Sequence, residues 1–467
     1  MDPRPLVMKF GGTSVGDAEA IARLVRHVHA ARETHGGIVG VMSALSGVTD
    51  RLLALASSAA CGDTELVAAG LAELRARHVT LTAQVAPEHV ERLSIVIEQH
   101  LDELLAVLRA VATLRDASTR ALDTIAATGE LLSSRIVDAA LSASGLPSTW
   151  VDPRRVLVTD DRFTQAAPDT RGIASAVEQE IRPLLTAGRV PVTAGFVGAT
   201  RDGATTTLGR GGSDYSAALL GAALHAREIQ IWTDVDGMMT ADPRLVAETR
   251  VVPRLSFAEA SELAYFGAKV LHPSTILPAV SQNIPVRILN SRRVGAPGTL
   301  ITDASSGSGS LAAIAAKRGV TVVDITSTRM LMAYGFLRRL FEIFERHHTS
   351  VDVVTTSEVS VSVTVDDDRR LDLVVQGVSE FADVKVEPGM AIVCAVGDGL
   401  QQDPHLAARM LGALESFPLR MVSQAASRRN LTVVLRDRDV AAAMTRLHDE
   451  FFVENGESRR VTESVER

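Results

Sequence analysis

The sequence predicts an α/β protein in which a three-layer αβα sandwich around a mainly parallel sheet precedes two ferredoxin-like βαββαβ modules. Strands and helices alternate from residue 6 to residue 233, the rhythm of a parallel sheet covered by helices. Beyond a small, polar, flexible stretch at 302–310 that rhythm gives way to short modules. The 467 residues also exceed the roughly 250–300 at which a single core stops growing, so two or three domains are expected.

The first element is a short strand at 6–10 that runs into Gly-Gly-Thr-Ser, then a helix at 17–34 and an apolar strand at 37–42, a βαβ opening. From 63 to 120 the apolar residues recur at spacings of three and four, predicting a long helical cap broken near Pro87. A helix at 121–144 follows, with strands at 148–152 and 155–159, a helix at 170–187 and a strand at 190–195. A glycine-rich hairpin at 198–207, a helix at 212–225 and a strand at 228–233 complete the pattern.

The C-terminal part reads as strand 320–326, helix 335–347, strands 350–355 and 359–365, helix 368–380 and strand 383–387. A second copy has strand 391–397, helix 404–415, strands 419–424 and 430–435 and helix 439–452, and is one strand short. The unused strand at 311–317 supplies the missing edge. The expected divisions are therefore 1–301, a linker at 302–310, an inserted first module at 319–388, and a second module made of 311–318 with 389–467.

A net charge of −8 with no basic cluster argues against nucleic acid or an anionic membrane surface as a partner. Two cysteines, Cys61 and Cys394, are too few for a disulfide framework or a multi-cysteine zinc site, and suit a reducing compartment. Lys9 and a glycine loop arrive too soon after Met1 for a signal peptide, and no uncharged apolar run approaches the roughly 18 residues of a membrane span. A soluble, cytoplasmic enzyme of small molecules is the expectation.

Only four of the 48 basic residues are lysine, and just two of them, Lys9 and Lys269, fall before residue 317, each in a glycine-containing stretch. A compact ammonium suits a site where a planar guanidinium would not fit, and phosphoryl transfer has that need. Lys9-Phe10-Gly11-Gly12-Thr13-Ser14 is neither a P-loop nor a dinucleotide fingerprint, because its lysine precedes the glycines. The glycine amides can approach phosphate oxygens while the lysine faces charge developing on the transferred group. The alternative is a tight strand-to-helix turn with a solvated lysine.

Thr205 to Ser216, with Gly209-Arg210-Gly211-Gly212-Ser213-Asp214 at its centre, offers a guanidinium fork for a carboxylate and an acid for an ammonium, the two poles of an amino acid. Ser213 or Asp214 acting only as a helix cap is the plain alternative. Glu130 beside Gly129, predicted in the first turn of its helix, and Ser43 and Thr49 after a strand read as substrate walls. Thr233 and Asp234 leave the carboxyl end of a strand and lead to Arg244, a place where α/β proteins bind nucleotides.

With these motifs in order, Lys9–Gly16 (KFGGTSVG), Gly129-Glu130-Leu131, Thr206–Ser216 (TTLGRGGSDYS), Thr233–Arg244 and Phe266–Pro273 (FGAKVLHP), the chain resembles the aspartate kinases of the amino acid kinase superfamily. The resemblance implies the amino acid kinase fold and transfer of the ATP γ-phosphoryl to the β-carboxylate of L-aspartate, with Mg²⁺ carried by ATP and no direct protein metal ligand. It implies catalytic roles for Lys9, Asp214 and Lys269 and an aspartate site of Ser43, Thr49, Glu130, Phe196, Arg210 and Ser213. Gly11, Gly12, Thr13, Ser14, Thr233, Asp234, Met239, Arg244, Lys269 and Val270 would hold the nucleotide, Met239 replacing an aromatic residue of several relatives.

The C-terminal modules resemble paired ACT domains, and 350–360 is similar to the lysine-responsive subgroup. That likeness implies an effector pocket of Met330, Phe336, Leu337, Ser350, Val351, Asp352, Thr356 and Ser357, with L-lysine favoured and L-threonine an option, in a homodimer or homotetramer assembled through the ACT domains. Met332 stands where the subgroup often has histidine. No further dinucleotide domain is expected after the pair, which implies a monofunctional enzyme. The alternatives are another carboxylate or carbamate kinase of the superfamily, and an amino-acid sensor without turnover.

Overall fold

Strand β1 (Leu6–Phe10) takes the centre of the main sheet because all five of its side chains are buried, including most of Lys9. A strand buried on both faces needs neighbours on both edges and helices above and below. The computed structural model describes residues 4–267, 273–293, 295–303, 311–327, 334–403, 405–424 and 427–453. They form two compact units, Met1–Met238 with Val270–Asp303, and Met239–Lys269 with Ala304–Arg467.

In the first unit β1 leads through α1 (Ala18–Thr34) to β2 (Ile38–Met42). The cap follows as α2 (Val48–Cys61), α3 (Thr64–Val85) and α4 (Val90–Leu114), broken at Pro87 as the pattern predicts. Next come α5 (Thr119–Ala143), β3 (Ser148–Val151), α6 (Pro153–Val156), β4 (Val158–Thr159), α7 (Thr170–Glu180), α8 (Arg182–Thr186), β5 (Val190–Ala194), β6 (Val197–Thr200), β7 (Thr205–Thr207), α9 (Gly212–Leu224) and β8 (Glu228–Thr233).

The second unit opens with β9 (Arg254–Ser256) and α10 (Phe257–Tyr265), the first unit resumes with α11 (Leu277–Ser281), β10 (Val286–Asn290) and β11 (Thr299–Thr302), and the rest is the second unit's. Its remaining elements are β12 (Leu311–Thr326), α12 (Phe336–Arg346), β13 (Val354–Thr356), β14 (Ser360–Val365), α13 (Leu371–Ser379), β15 (Asp383–Gly397), α14 (Leu406–Ala413), β16 (Met421–Gln424), β17 (Asn430–Arg436) and α15 (Val440–His448).

The main sheet runs β3-β5-β2-β1-β8-β10-β11, parallel throughout except for β11, which pairs antiparallel with β10. The chain moves from β1 to β2 on one side and later to β8 on the other, so loops from three neighbouring strand ends open together at the carboxyl edge, the usual ligand site of such sheets. A small sheet, β4-β6-β7, carries the predicted hairpin.

Two expectations for this unit change. The strand predicted at 155–159 shortens to β4 (Val158–Thr159), because its first two residues end helix α6, where Pro153 occupies the helix start and the Asp152 side chain accepts from the Arg154 N–H as its cap. The helix predicted at 121–144 runs Thr119–Ala143, so Glu130, read as a first-turn residue, lies in its middle and a first-turn dipole plays no part.

In the second unit the sheet order is β13-β14-β12-β15-β17-β16. The sequence reads 311–317 and 320–326 as two strands, and 383–387 and 391–397 as two more; each pair is one long strand. Gly319, with φ of +71°, and Pro388-Gly389 form facing irregularities, where the register jumps between Val320↔Met390 and Val322↔Glu387. A turn signal in each partner therefore becomes a bulge shared by both. Amphipathic α12 places Leu340, Ile343 and Phe344 on one buried face at helical spacing. Met239–Lys269, expected in the first domain, groups here: Ala241 and Val246 join the core of Ile314, Val393 and Leu435, and Thr240 Oγ1 hydrogen-bonds the buried His448 ring at 2.9 Å.

Candidate active site

At the carboxyl edge of the main sheet lies a cavity of about 560 Å³, lined by Lys9, Gly11, Gly12, Thr13, Ser43, Thr49, Glu130, Phe196, Arg210, Ser213, Asp214, Thr233 and Asp234. Residues scattered over more than 220 positions in sequence meet there because β1, β2 and β8 are neighbours.

Lys9 leaves the last turn of pleat in β1, and its Nζ lies 2.7 Å from Asp214 Oδ1 in the first turn of α9. Gly211 makes that approach possible: as the residue before α9 it takes φ of +71°, a conformation that strains any residue with a Cβ. Arg210, between two positive-φ glycines, is exposed and has no ion-pair partner among the described residues. Phe196 also adopts a left-handed backbone, φ of +65°, and its N–H donates to Ser216 Oγ at 2.9 Å. Such a conformation in a non-glycine residue persists only where its surroundings impose it, here against the same glycine loop.

Glu130 is the floor of the cavity. Burial pushes its carboxyl up to about 8, against hydrogen bonds from its own and the Ala44 backbone N–H and from the Thr49 hydroxyl that favour the charged form. Its Oε2 has no hydrogen-bond partner among the described residues. A buried acid with an unmet acceptor, facing an open cavity, is suited to a cation.

The sequence reading missed a supporting residue. Asp123, seven positions before Glu130 on α5 and only 1% exposed, accepts from the Thr164 N–H at 2.9 Å and from the Thr207 N–H and hydroxyl at 3.0 and 2.6 Å. It ties α5 to the strand that feeds the Gly209–Asp214 loop. An acid two helical turns before Glu130, on the same face of the helix, was the available signal. Ala44, Leu45, Ser46 and Gly47, between the predicted wall residues Ser43 and Thr49, also line the cavity, as does Asp50 in α2.

Ser14 does not line the cavity. Its hydroxyl turns inward to Ser291 Oγ at 2.9 Å, and at 1% exposure it belongs to the core. Met239 and Arg244 belong to the second unit, where the Arg244 guanidinium is engaged by Asp242 at 2.6 Å. Lys269 and Val270 lie outside the described residues, as do Met330 and Met332.

Of the predicted effector residues, Phe336 opens α12 with its ring edge-on to Phe381, Leu337 beside it is exposed, Ser350 and Val351 precede β13, Thr356 ends that strand, and Ser357 Oγ meets Ser360 Oγ at 2.7 Å. Asp352 is different. Its Oδ1 accepts from Lys317 Nζ at 2.8 Å and from the Tyr265 hydroxyl at 2.8 Å, and Lys317 also pairs with Asp366 at 2.7 Å. Burial opposes the charge of Lys317, but its two carboxylate partners raise its pKa above the ordinary value; burial and the bond to Asp352 push the Tyr265 phenol up as well. The acid expected to await a cation already holds one.

No helix among the described residues is long and apolar enough to cross a membrane. The Amino acid kinase family profile matches residues 4–290, and an ACT domain profile matches 393–451. The lysine-sensitive aspartokinase 3 of Escherichia coli is 37% identical over 96% of this chain and 99% of its own. The crystal structure of E. coli aspartokinase III with aspartate and ADP, an R-state, superposes with a TM-score of 0.83 at 36% identity, covering 96% of this chain and 99% of that one. The T-state of the same enzyme, with lysine and aspartate, gives 0.79 at 36% identity over the same shares of the two chains. A full-length match at this identity, on a fold whose strand ends gather the family's motifs into one cavity, shows that the chain belongs to the amino acid kinase family, among its aspartokinases.

Proposed function

We propose that the chain transfers the γ-phosphoryl of ATP to the β-carboxylate of L-aspartate, giving 4-phospho-L-aspartate and ADP, under feedback control by L-lysine through the paired ACT modules. The observation that carries the reading is the cavity in which Lys9 and Asp214, Glu130 and the Arg210 loop converge. Its poles match a free amino acid: Glu130 receives the α-ammonium and Arg210 the α-carboxylate, which directs the β-carboxylate toward Lys9.

A carboxylate is ionised at neutral pH, so one of its oxygens attacks the γ-phosphorus without a general base, and the bond from that phosphorus to the bridging oxygen of ADP breaks. Catalysis then reduces to positioning and charge neutralisation. Lys9 faces the phosphoryl oxygens, the Gly12 amide approaches them while the Gly11 N–H donates to the Trp232 carbonyl at 3.0 Å, and Thr233 and Asp234 border the nucleotide. Magnesium, carried by ATP with its ligands from phosphates and water, would neutralise phosphate charge when bound. Lys269, Val270, Met239 and Arg244 complete the nucleotide side in this reading, and Ser43, Thr49, Phe196 and Ser213 the aspartate side. The lysine-bound relative and the acid at Asp352 support the effector assignment, with the assembly a homodimer or homotetramer through the ACT modules.

The test is hydroxamate formation from L-aspartate, ATP, Mg²⁺ and hydroxylamine, with glutamate, acetylglutamate and carbamate as competing acceptors and L-lysine or L-threonine added. Aspartate-dependent product suppressed by lysine is the expected result. Turnover only with another acceptor reassigns the substrate, and binding without turnover makes the chain a sensor.

A further inference from the structure

The Asp352 side chain is 2% exposed, yet its carboxylate is unevenly used. Oδ1 takes both the Lys317 ammonium and the Tyr265 hydroxyl, while Oδ2 is buried with no hydrogen-bond partner among the described residues. Two carboxylates, Asp352 and Asp366, face one ammonium, leaving an excess of one negative charge (−2 + 1 = −1). The Lys317 Nζ also lies 5.0 Å from the centre of the Tyr265 ring. The cluster therefore satisfies itself incompletely: it contains a cation but keeps a buried acceptor that a second ammonium, with three donors, would fill.

We infer that Asp352 is a self-occupied effector acid: Lys317 and Tyr265 hold, in the resting chain, the place taken by the ammonium of a cationic amino acid, and binding displaces them. The inference rests on the effector reading given above. An external cation cannot touch a carboxylate that is 2% exposed while both internal donors remain, and those donors are the solvent-facing parts of the cluster. Lys317 is 18% exposed, and Tyr265 is 46% exposed. Lys317 has somewhere to go, since Asp366 holds it from the other side and is 40% exposed. The exchange trades one ammonium–carboxylate contact for another and supplies a donor to Oδ2.

The test is L-lysine binding to the full-length protein by isothermal titration calorimetry, comparing the parent with Tyr265→Phe, Lys317→Met and Asp352→Asn. Tyr265→Phe is expected to bind lysine about 3–10-fold more tightly, the equivalent of one hydrogen bond no longer broken on binding. Lys317→Met is expected to bind at least about tenfold more tightly, and Asp352→Asn at least about tenfold more weakly. Because Tyr265→Phe leaves the charge unchanged, tightening there cannot come from the long-range field. Should Lys317→Met fail to fold, judged by its thermal melt, Tyr265→Phe decides alone. Unchanged or weaker binding in Tyr265→Phe, with Asp352→Asn impaired, overturns self-occupancy and keeps Asp352 as the effector's partner. Undiminished binding in Asp352→Asn, or no lysine binding by the parent, overturns the effector reading and this inference with it.

Discussion

Lys9 and Asp214 meet at 2.7 Å across the cavity, one from the end of β1 and the other from the first turn of α9, with side chains 11% and 13% exposed. The ammonium is thus aimed by a carboxylate before any phosphate arrives. Positioned charge of this kind acts without reorganising during the reaction.

Replacing Lys9 by Ala is expected to lower kcat by about 10²–10³, the loss found when one transition-state donor is removed. Lys9→Arg should restore little of it, since a planar fork cannot sit where a compact ammonium contacts Asp214. Steady-state kinetics with circular dichroism to verify folding checks this; full activity in either variant removes Lys9 from the chemistry.

Glu130, raised from 4.5 to about 8, retains its proton at neutral pH in the free cavity. An ammonium prefers the ionised form, so the KM for aspartate should fall as pH rises toward about 8 and level off beyond it. Stability moves the other way. Between 4.5 and about 8 the folded chain holds a proton that the unfolded chain releases, so rising pH costs up to about 1.4 kcal/mol per unit. Glu130→Gln should therefore gain melting temperature over the parent at pH 8.5, show little gain at pH 5, and lose aspartate affinity. A gap that does not change with pH would contradict the assignment.

Asp123→Ala strands three donors, the part-buried N–H of Thr164 and the buried N–H and hydroxyl of Thr207. A loss of about 2–4 kcal/mol in stability is expected, together with a raised KM for aspartate, because the Arg210 loop loses its anchor. Asp123→Asn keeps the acceptor oxygen and should recover part of both. Urea unfolding and kinetics on the two variants separate positioning from bulk damage.

Gly267 has φ of +118°, and a Cβ there would stand 2.3 Å from the Ala316 carbonyl oxygen on β12. Gly267→Ala should cost several kcal/mol, about 3 or more, since both the backbone conformation and the contact oppose it. The expected observation is a large fall in the second unit's melting transition. Wild-type melting would mean that the backbone there adapts freely.

The sequence made most of the cavity legible because the motifs fall at strand ends and the parallel sheet dictates which ends are neighbours. It misplaced Ser14 because a hydroxyl in a glycine loop carries no sign of which way it points; packing against Ser291, 277 residues away, decides that. Asp123 was passed over because an acid in a helix looks like surface until a distant hairpin is brought onto it. Lysine scarcity singled out Lys9 and Lys269 but overlooked Lys317, whose neighbours in sequence are featureless and whose partners, Asp352 and Asp366, lie 35 and 49 positions away.

The two C-terminal modules share β12 and β15, each continuous across both. A cut between them severs two long strands at mid-length and leaves raw sheet edges on both sides, although the first module's own elements form one contiguous stretch, 319–388. Recombination that exchanges regulatory specificity between relatives therefore keeps both strands whole only if it carries residues 311–453 as one cassette.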